Sequence, residues 1–215
     1  MNSETSVPLF PLPNVILYPG AMLPLHVFEP RYVRLVEDLL DQGNNQLALA
    51  LLIPSWDTEY FEKPEIFPVA GVGSMVSCQR MPENRFNILI EGKSRARLEE
   101  LPQEIPYRQT RFTLLNEQPV TDPAKQKQLR IELTEGFCSL TDEIVLPDPK
   151  RPLGYLADVL LIAAGVSLAE KQRIFSILDV EARVHEVLNL VDQAKLQSSR
   201  CNSARGRSPQ NPLWN

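Results

Sequence analysis

Short apolar segments separated by turn residues occupy the first half of the chain and predict β-strands. The clearest segment alternates apolar Phe86, Ile88 and Ile90 with polar residues, so one face meets a core and the other meets solvent. An unbroken apolar run at 47–53 predicts a buried strand. Further strands are predicted at 7–13, 23–27, 69–77, 95–101 and 107–115. Gly71 and Gly73 inside the segment at 69–77 predict a bulge or a close backbone approach, and residues 82–84 predict the turn before the strand that holds Phe86. Strands at such short spacing favour a small barrel or sandwich.

One helix is predicted inside this strand-rich region. Pro30 suits the first helical position, and Glu29 before it suits the positive end of the helix dipole. Gly43 is a typical stop after the last turn of a helix. Between these ends, apolar residues recur at helical spacing: Tyr32, Leu35, Val36, Leu39 and Leu40.

From residue 119 onward the pattern changes to helical periodicity. A first helix follows Asp122, and others are predicted to begin at Pro152, at the capping box of Ser167 and Glu170, and after Asp179. The stripe of the first helix is Leu129, Leu133, Phe137, Leu140 and Ile144. Each helix has an apolar stripe rather than all-round hydrophobicity, which predicts a packed bundle.

These patterns predict three parts. Residues 1–118 are expected to form a strand-rich subdomain, and residues 119–198 a helical bundle. Residues 199–215 are polar and without periodicity, so we expect a disordered tail. The fold class is therefore α+β, with a small β-barrel that contains one inserted helix and is followed by helices.

Composition and charge narrow the classes of partner. The 215 residues include 19 prolines but 9 glycines, which describes stiffened turns rather than glycine-rich phosphate loops. The net charge is −5, and the tail holds three arginines and no acid, so the body is more acidic still. An acidic body repels phosphate backbones, which argues against DNA and disfavours RNA.

The chain shows no sign of a membrane or secretory segment. No apolar run approaches the roughly 18 residues that span a bilayer. The first basic residue is Arg31, so the positive start of a signal peptide is missing. Cys78, Cys138 and Cys201 are widely spaced and form no disulfide framework. We therefore expect a cytoplasmic protein that makes no contact with membranes.

Candidate catalytic and ligand motifs are weak. Gly92 and Lys93 resemble the end of a phosphate-binding loop, but the glycine required five positions earlier is Asn87. His26 and His185 have no histidine or cysteine neighbour at ligand spacing, whereas a metal needs three or four ligands. The cysteines have no triad-like context. We predict no catalytic residues, no metal and no cofactor.

One stretch is specific enough to indicate a family. Residues 7–20, VPLFPLPNVILYPG, and 23–32, LPLHVFEPRY, resemble the opening of the Lon protease N-terminal domain. RFNILIEG at 85–92 and ILDVEAR at 177–183 resemble later parts of that domain. The resemblance implies a PUA-like six-stranded pseudo-β-barrel followed by helices. It also implies a stand-alone substrate-binding domain, because the chain has no segment that resembles the ATPase or peptidase modules.

The resemblance implies a binding function rather than an enzyme, and a peptidase label would only be inherited from the family name. The expected partner is unfolded or tagged polypeptide, with a separate protease or chaperone as a further partner. The expected groove lies where the barrel meets the helices, with Leu25, Phe28 and Tyr32 as apolar contacts and Arg31 on a polar rim. The alternative is a PUA-like RNA-binding module that uses Arg80, Arg85, Lys93, Arg95 and Arg97.

Overall fold

The computed structural model describes residues 6–54, 63–140, 148 and 150–205, and it has the mixed α+β architecture that the sequence predicts. Six strands form one sheet in the order β2-β5-β4-β3-β1-β6. The strands are β1 (Val7–Leu12), β2 (Met22–Val27), β3 (Gln46–Leu51), β4 (Val69–Met81), β5 (Arg85–Glu100) and β6 (Arg108–Leu114).

Strand β5 closes the sheet into a ring. It is 16 residues long, and its first half pairs with β2 while its second half pairs with β6. The β1–β3 pair is parallel, and the other pairs are antiparallel. The sequence predicted two strands at 85–91 and 95–101, but they are one strand, because β4 pairs along both and the register shifts between them without ending the ladder. The predicted turn before β5 is confirmed by the left-handed φ angles of Glu83 (60°) and Asn84 (54°).

Helix α1 (Pro30–Gln42) covers one face of this sheet. It begins with Pro30 and ends at Gly43, whose φ of 64° is left-handed, as the sequence predicts. Its buried stripe joins the inner side chains of β2, β4 and β5 in one core. That core includes Phe10, Tyr32, Leu35, Leu39, Phe86, Ile88, Ile90 and Tyr107.

Two glycines allow the segment before β2 to lie directly on the sheet. A Cβ built on Gly71 would overlap the carbonyl oxygen of Leu17 and lie 2.7 Å from its Cβ. A Cβ built on Gly92 would overlap the carbonyl oxygen of Tyr18. The sequence predicted a bulge or a close backbone approach in β4, and both occur there, with register shifts at Val72/Gly73 and Met75/Ser77.

A phenol–carboxylate hydrogen bond joins α1 to the residue just before β6 and predicts how the stability changes at alkaline pH. The Tyr107 hydroxyl donates to Asp38 Oδ2 at 2.9 Å, and Tyr107 is 2% exposed. Burial and then the Asp38 carboxylate raise the pKa of Tyr107 to about 12. The unfolded value is about 10, so the native state favours the neutral phenol. This stabilisation is fully present below pH 10 and is lost as the pH rises from about 10 to about 12.

We therefore expect the free energy of unfolding, measured by urea titration, to fall across that range. The Tyr107→Phe variant should have a lower stability at pH 8 and a flatter profile between pH 10 and 12, since phenylalanine does not titrate. A variant that keeps the wild-type slope in this range would show that Tyr107 is not the group responsible.

The remaining described helices are α2 (Pro123–Leu140), α3 (Leu153–Ala163), α4 (Leu168–Phe175) and α5 (Val180–Arg205). The predicted stripe of α2 is confirmed at Leu129, Leu133 and Phe137, which are buried, while Ile144 lies outside the described residues. The predicted cap of α5 is also present, since the Ala182 amide donates to Asp179 Oδ1 at 3.0 Å.

The chain divides into two compact units. One comprises Met1–Gln118 and Leu168–Leu178, and the other comprises Pro119–Ser167 and Asp179–Asn215. Helix α4 therefore belongs with the sheet rather than with the helical region to which the sequence analysis assigned it. Helix α5 continues to Arg205, past residue 199, where the sequence analysis placed the start of the tail. Residues 206–215 lie outside the described residues.

Buried polar contacts explain why α4 joins the sheet. Arg95 of β5 is 1% exposed, and its Nε donates to the Phe175 carbonyl oxygen at 2.8 Å. Its guanidinium lies over the Phe175 ring and pairs with Glu117 at 2.7 Å. Gln172 donates to the Val69 carbonyl oxygen at 2.7 Å. These polar groups need partners once they are buried, so they specify where α4 lies.

Candidate functional site

Strand β2 has one face in the core and one face in solvent. Leu23, Leu25 and Val27 face inward, where Leu23 and Leu25 pack against the core and Val27 is 2% exposed. Met22, Pro24 and His26 alternate with them and are exposed. Alternation of this kind is usual in a half-buried strand, but the exposed positions here include apolar residues.

Exposed apolar side chains gather on the outer face of the β2–β5–β4 region. Met22 is 51% exposed, and Phe28, just after β2, is 61% exposed. Leu89 of β5 lies opposite Pro24 in register and is half-buried. Val76, in the bulge of β4 next to the Leu89 position, is 47% exposed. We call Met22, Pro24, Phe28, Leu89 and Val76 the outer patch.

A polar pair borders the outer patch and orders it. His26 Nδ1 and Asn87 Oδ1 are 2.7 Å apart and join β2 to β5 across the outer face. The His26 and Phe28 rings stack with their centroids 6.0 Å apart. Phe28 is therefore exposed but has a neighbour, which reduces the conformational entropy it would lose on contact with a ligand.

The four residues predicted for the groove do not share one surface. Phe28 is exposed, whereas Tyr32 is 4% exposed and stacks on Phe10 in the core, with ring centroids 4.2 Å apart. Leu25 faces inward and packs against the same core. Arg31 pairs with Glu29 at 2.9 Å, and its guanidinium covers the Tyr32 ring at 4.6 Å. Phe28 alone of the four belongs to the outer patch.

Sequence reasoning missed the other apolar members of the outer patch. Met22 and Pro24 precede the inward Leu25 by odd numbers of positions, so strand alternation places them on the opposite face. Val76 could not be found in this way, because the bulge in β4 shifts the alternation by one residue.

Most of the basic residues considered for RNA binding have carboxylate partners. Arg80 pairs with Glu37 at 2.9 Å, and Lys93 pairs with Glu91 at 2.5 Å. Arg85 pairs with Glu83 at 2.5 Å. Arg95 is buried in its contact with α4. The hairpin surface therefore carries paired charges, which weakens its attraction for a phosphate backbone.

The chemistry available for catalysis is sparse in the described part of the chain. Cys78 lies in a groove of about 440 Å³ beside Leu40 and Phe86. Burial raises the pKa of the Cys78 thiol, so the reactive thiolate is scarce at neutral pH. Among the described residues, no three histidine, cysteine or acidic side chains are arranged to hold a metal ion. No described helix is long and apolar enough to cross a bilayer.

The sequence model of a known protein family matches nearly all of the residues that the structure describes. Residues 6–193 match the family described as the ATP-dependent protease La (Lon) substrate-binding domain. The chain belongs to the Lon substrate-binding domain family. The resemblance seen in the proline-rich opening is thereby confirmed, and the match spans both the strand-rich and the helical parts.

Several relatives of known sequence are Lon proteases. Lon protease 2 of Sorangium cellulosum is 31% identical over 204 residues, which are 86% of this chain and 24% of that protein. The Lon protease of Escherichia coli strain K12 is 26% identical over 208 residues, which are 89% of this chain and 26% of that protein. The chain thus spans about a quarter of the length of these relatives, in the part that the family model describes.

Solved structures show the same fold. The Lon N-terminal domain protein from Xanthomonas campestris superposes with a TM-score of 0.63 at 19% identity, covering 86% of this chain and 98% of that one. The N-terminal domain of a Mycobacterium avium complex Lon protease gives 0.65 at 16% identity, covering 87% and 98%. These superpositions establish the fold of this Lon-type domain, and at such low identities they establish the fold alone.

Proposed function

We propose that this Lon-type domain binds segments of unfolded polypeptide through the outer patch and does so without catalysis. The observation that carries the proposal is the exposed apolar side chains of Met22, Phe28 and Val76 on one face of the sheet, in a family named for substrate binding. Several exposed apolar side chains on one face of a sheet are typical of an interaction site. Unfolded chains expose the apolar side chains that such a surface would cover.

The proposed partners follow from this role. A domain that holds unfolded segments would deliver them to a separate protease or chaperone. Free thiols at Cys78 and Cys138 support a reducing compartment such as the cytoplasm. RNA is the less favoured partner, because Arg80, Arg85 and Lys93 are each paired with a carboxylate.

Phe28→Ser provides the direct test. The variant removes the largest exposed apolar side chain of the outer patch while leaving the core untouched. We expect the Kd for a fluorescently labelled, reduced and alkylated unfolded protein to rise roughly tenfold, about 1.4 kcal/mol. The measurement is fluorescence anisotropy, with labelled single-stranded RNA titrated in parallel at two salt concentrations.

Leu114→Ser is the matched control. Leu114 lies on β6 outside the outer patch and is 54% exposed, close to the 61% of Phe28. It should leave the Kd within about twofold, since it removes a similar exposed apolar side chain from another place. Equal losses in both variants would assign binding to general stickiness. Salt-sensitive RNA binding with no polypeptide binding would instead support the nucleic-acid alternative.

A further inference from the structure

Strand β2 has a free edge as well as an exposed face. On one side it pairs with β5 over its whole length. On the other side, no backbone hydrogen bond to Met22–Val27 occurs within the described part of the chain. A strand edge of this kind offers unpaired amides and carbonyls that another strand can use.

The register shows which backbone groups point to the free edge. The Gly92 amide donates to the Ala21 carbonyl oxygen at 2.9 Å. Ala21 precedes Met22 and Gly92 follows Glu91, and Met22 and Glu91 are paired in the ladder. Ala21 and Gly92 therefore form a hydrogen-bonded pair, and in an antiparallel ladder such pairs alternate with non-hydrogen-bonded ones. By alternation, the backbone groups of Met22, Pro24 and His26 point away from β5.

We propose that this edge binds an extended segment of the unfolded polypeptide, called the client below, as an added strand. The inference deepens the proposed function and rests on it. Met22 and His26 each offer an N–H and a carbonyl, whereas Pro24 offers only a carbonyl, since proline has no N–H. The amide of a client residue opposite Pro24 would thus donate to the Pro24 carbonyl oxygen, while the carbonyl of that residue would accept no hydrogen bond from Pro24.

The edge and the outer patch would act on the same client residues. Residues paired across a ladder place their side chains on the same face. Client side chains opposite Met22 and Pro24 would therefore lie on the outer patch. Every second side chain of the client would then contact the patch. The preferred client segment is extended and carries apolar side chains at alternate positions.

Pro24 also favours a client over a second copy of this chain. If two β2 edges paired antiparallel with Met22 opposite His26, the two Pro24 residues would face each other. Neither could donate, so two carbonyls would oppose one another without a hydrogen bond. A client segment supplies the missing N–H at that position, which makes it the better occupant.

The first experiment uses the wild-type protein and a backbone-methylation scan. The probe is a fluorescein-labelled peptide in which seven valine and threonine residues alternate, with a lysine at each end. Methylating one amide at a time should raise the Kd roughly tenfold at every second position, and much less at the positions between. Uniform tolerance along the peptide would overturn strand addition.

The second experiment uses Pro24→Ala. Strand addition predicts that this variant lowers the Kd for the peptide, whereas loss of a side-chain contact alone would raise it. Alanine restores the missing N–H at the edge, so we expect the peptide to bind roughly twofold to tenfold tighter. Weaker binding would mean that the proline ring is only an apolar contact. Pro102→Ala, at an exposed proline outside β2, is the control and should leave the Kd unchanged.

The two proposals fail in different ways. If Phe28→Ser weakens binding but methylation is tolerated and Pro24→Ala also weakens binding, the outer patch binds polypeptide without strand addition. If the wild-type protein binds neither the unfolded protein nor the peptide, both proposals are wrong. Association of Pro24→Ala with itself in sedimentation, without tighter peptide binding, would point to a second copy as the occupant.

Discussion

Replacing Gly71 by alanine should destabilise the protein by about 3 kcal/mol or more, the upper end of the range for overpacking a core. The added methyl would overlap the Leu17 carbonyl oxygen and lie 2.7 Å from the Leu17 Cβ. These are backbone and near-backbone atoms, so no flexible side chain can move aside. The segment before β2 would have to lift from the sheet and expose Leu17, which is 1% exposed.

Urea unfolding monitored by circular dichroism measures this loss, and Gly165→Ala is the matched control. A Cβ at Gly165 meets nothing within 4 Å, so that variant should change stability by less than about 1 kcal/mol. Gly92→Ala, whose methyl would overlap the Tyr18 carbonyl oxygen, should resemble Gly71→Ala. A Gly71→Ala protein as stable as wild type would show that the segment is free to shift.

The second large effect is expected at a buried ion pair in the unit that comprises Pro119–Ser167 and Asp179–Asn215, called the helical unit below. Asp158 of α3 is 2% exposed and Arg183 of α5 is 0% exposed, with Oδ1 and Nε 3.4 Å apart. Asp158→Ala removes the carboxylate that faces the Arg183 guanidinium in the core. Breaking such a pair costs about 3–5 kcal/mol, so we expect the helical unit to melt well below the wild-type temperature.

An exposed pair and a double replacement complete this test. Glu170→Ala breaks the partly exposed pair with Arg173 and should cost less than about 1 kcal/mol. Asp158→Leu combined with Arg183→Met removes both charges and should recover most of the loss, since apolar residues of similar volume replace buried pairs well. A double variant as unstable as Asp158→Ala would mean that packing, rather than the loss of the Asp158 charge, sets the cost.

Local patterns predicted the elements of this fold well. Helix α1 begins at Pro30 and ends before Gly43, and the left-handed turn at Glu83 and Asn84 precedes β5, all as expected. These features depend on residues within a few positions of one another. The continuity of β5 was not predicted, because the polar residues around Lys93 are typical of a turn. Only the pairing with β4 on both sides of Lys93 shows that the strand continues.

The candidate site was predicted less completely. The sequence pointed to the stretch from Leu23 to Tyr32, and Phe28 within it is exposed. It did not separate Phe28 from Leu25, because this stretch is apolar on both faces of β2, or from Tyr32, whose side chain α1 buries in the core. The missing information was which face α1 covers.

Sequence by itself determined the class, the order of strands and helices, and the family. Those properties depend on periodicity, turn residues and a distinctive opening segment, all read along the chain. Tertiary structure alone decided that α4 packs with the sheet through Arg95 and Gln172, and that the outer patch joins Met22 to Val76. Both depend on contacts between residues far apart in the chain, where burial of polar groups and strand register select one arrangement.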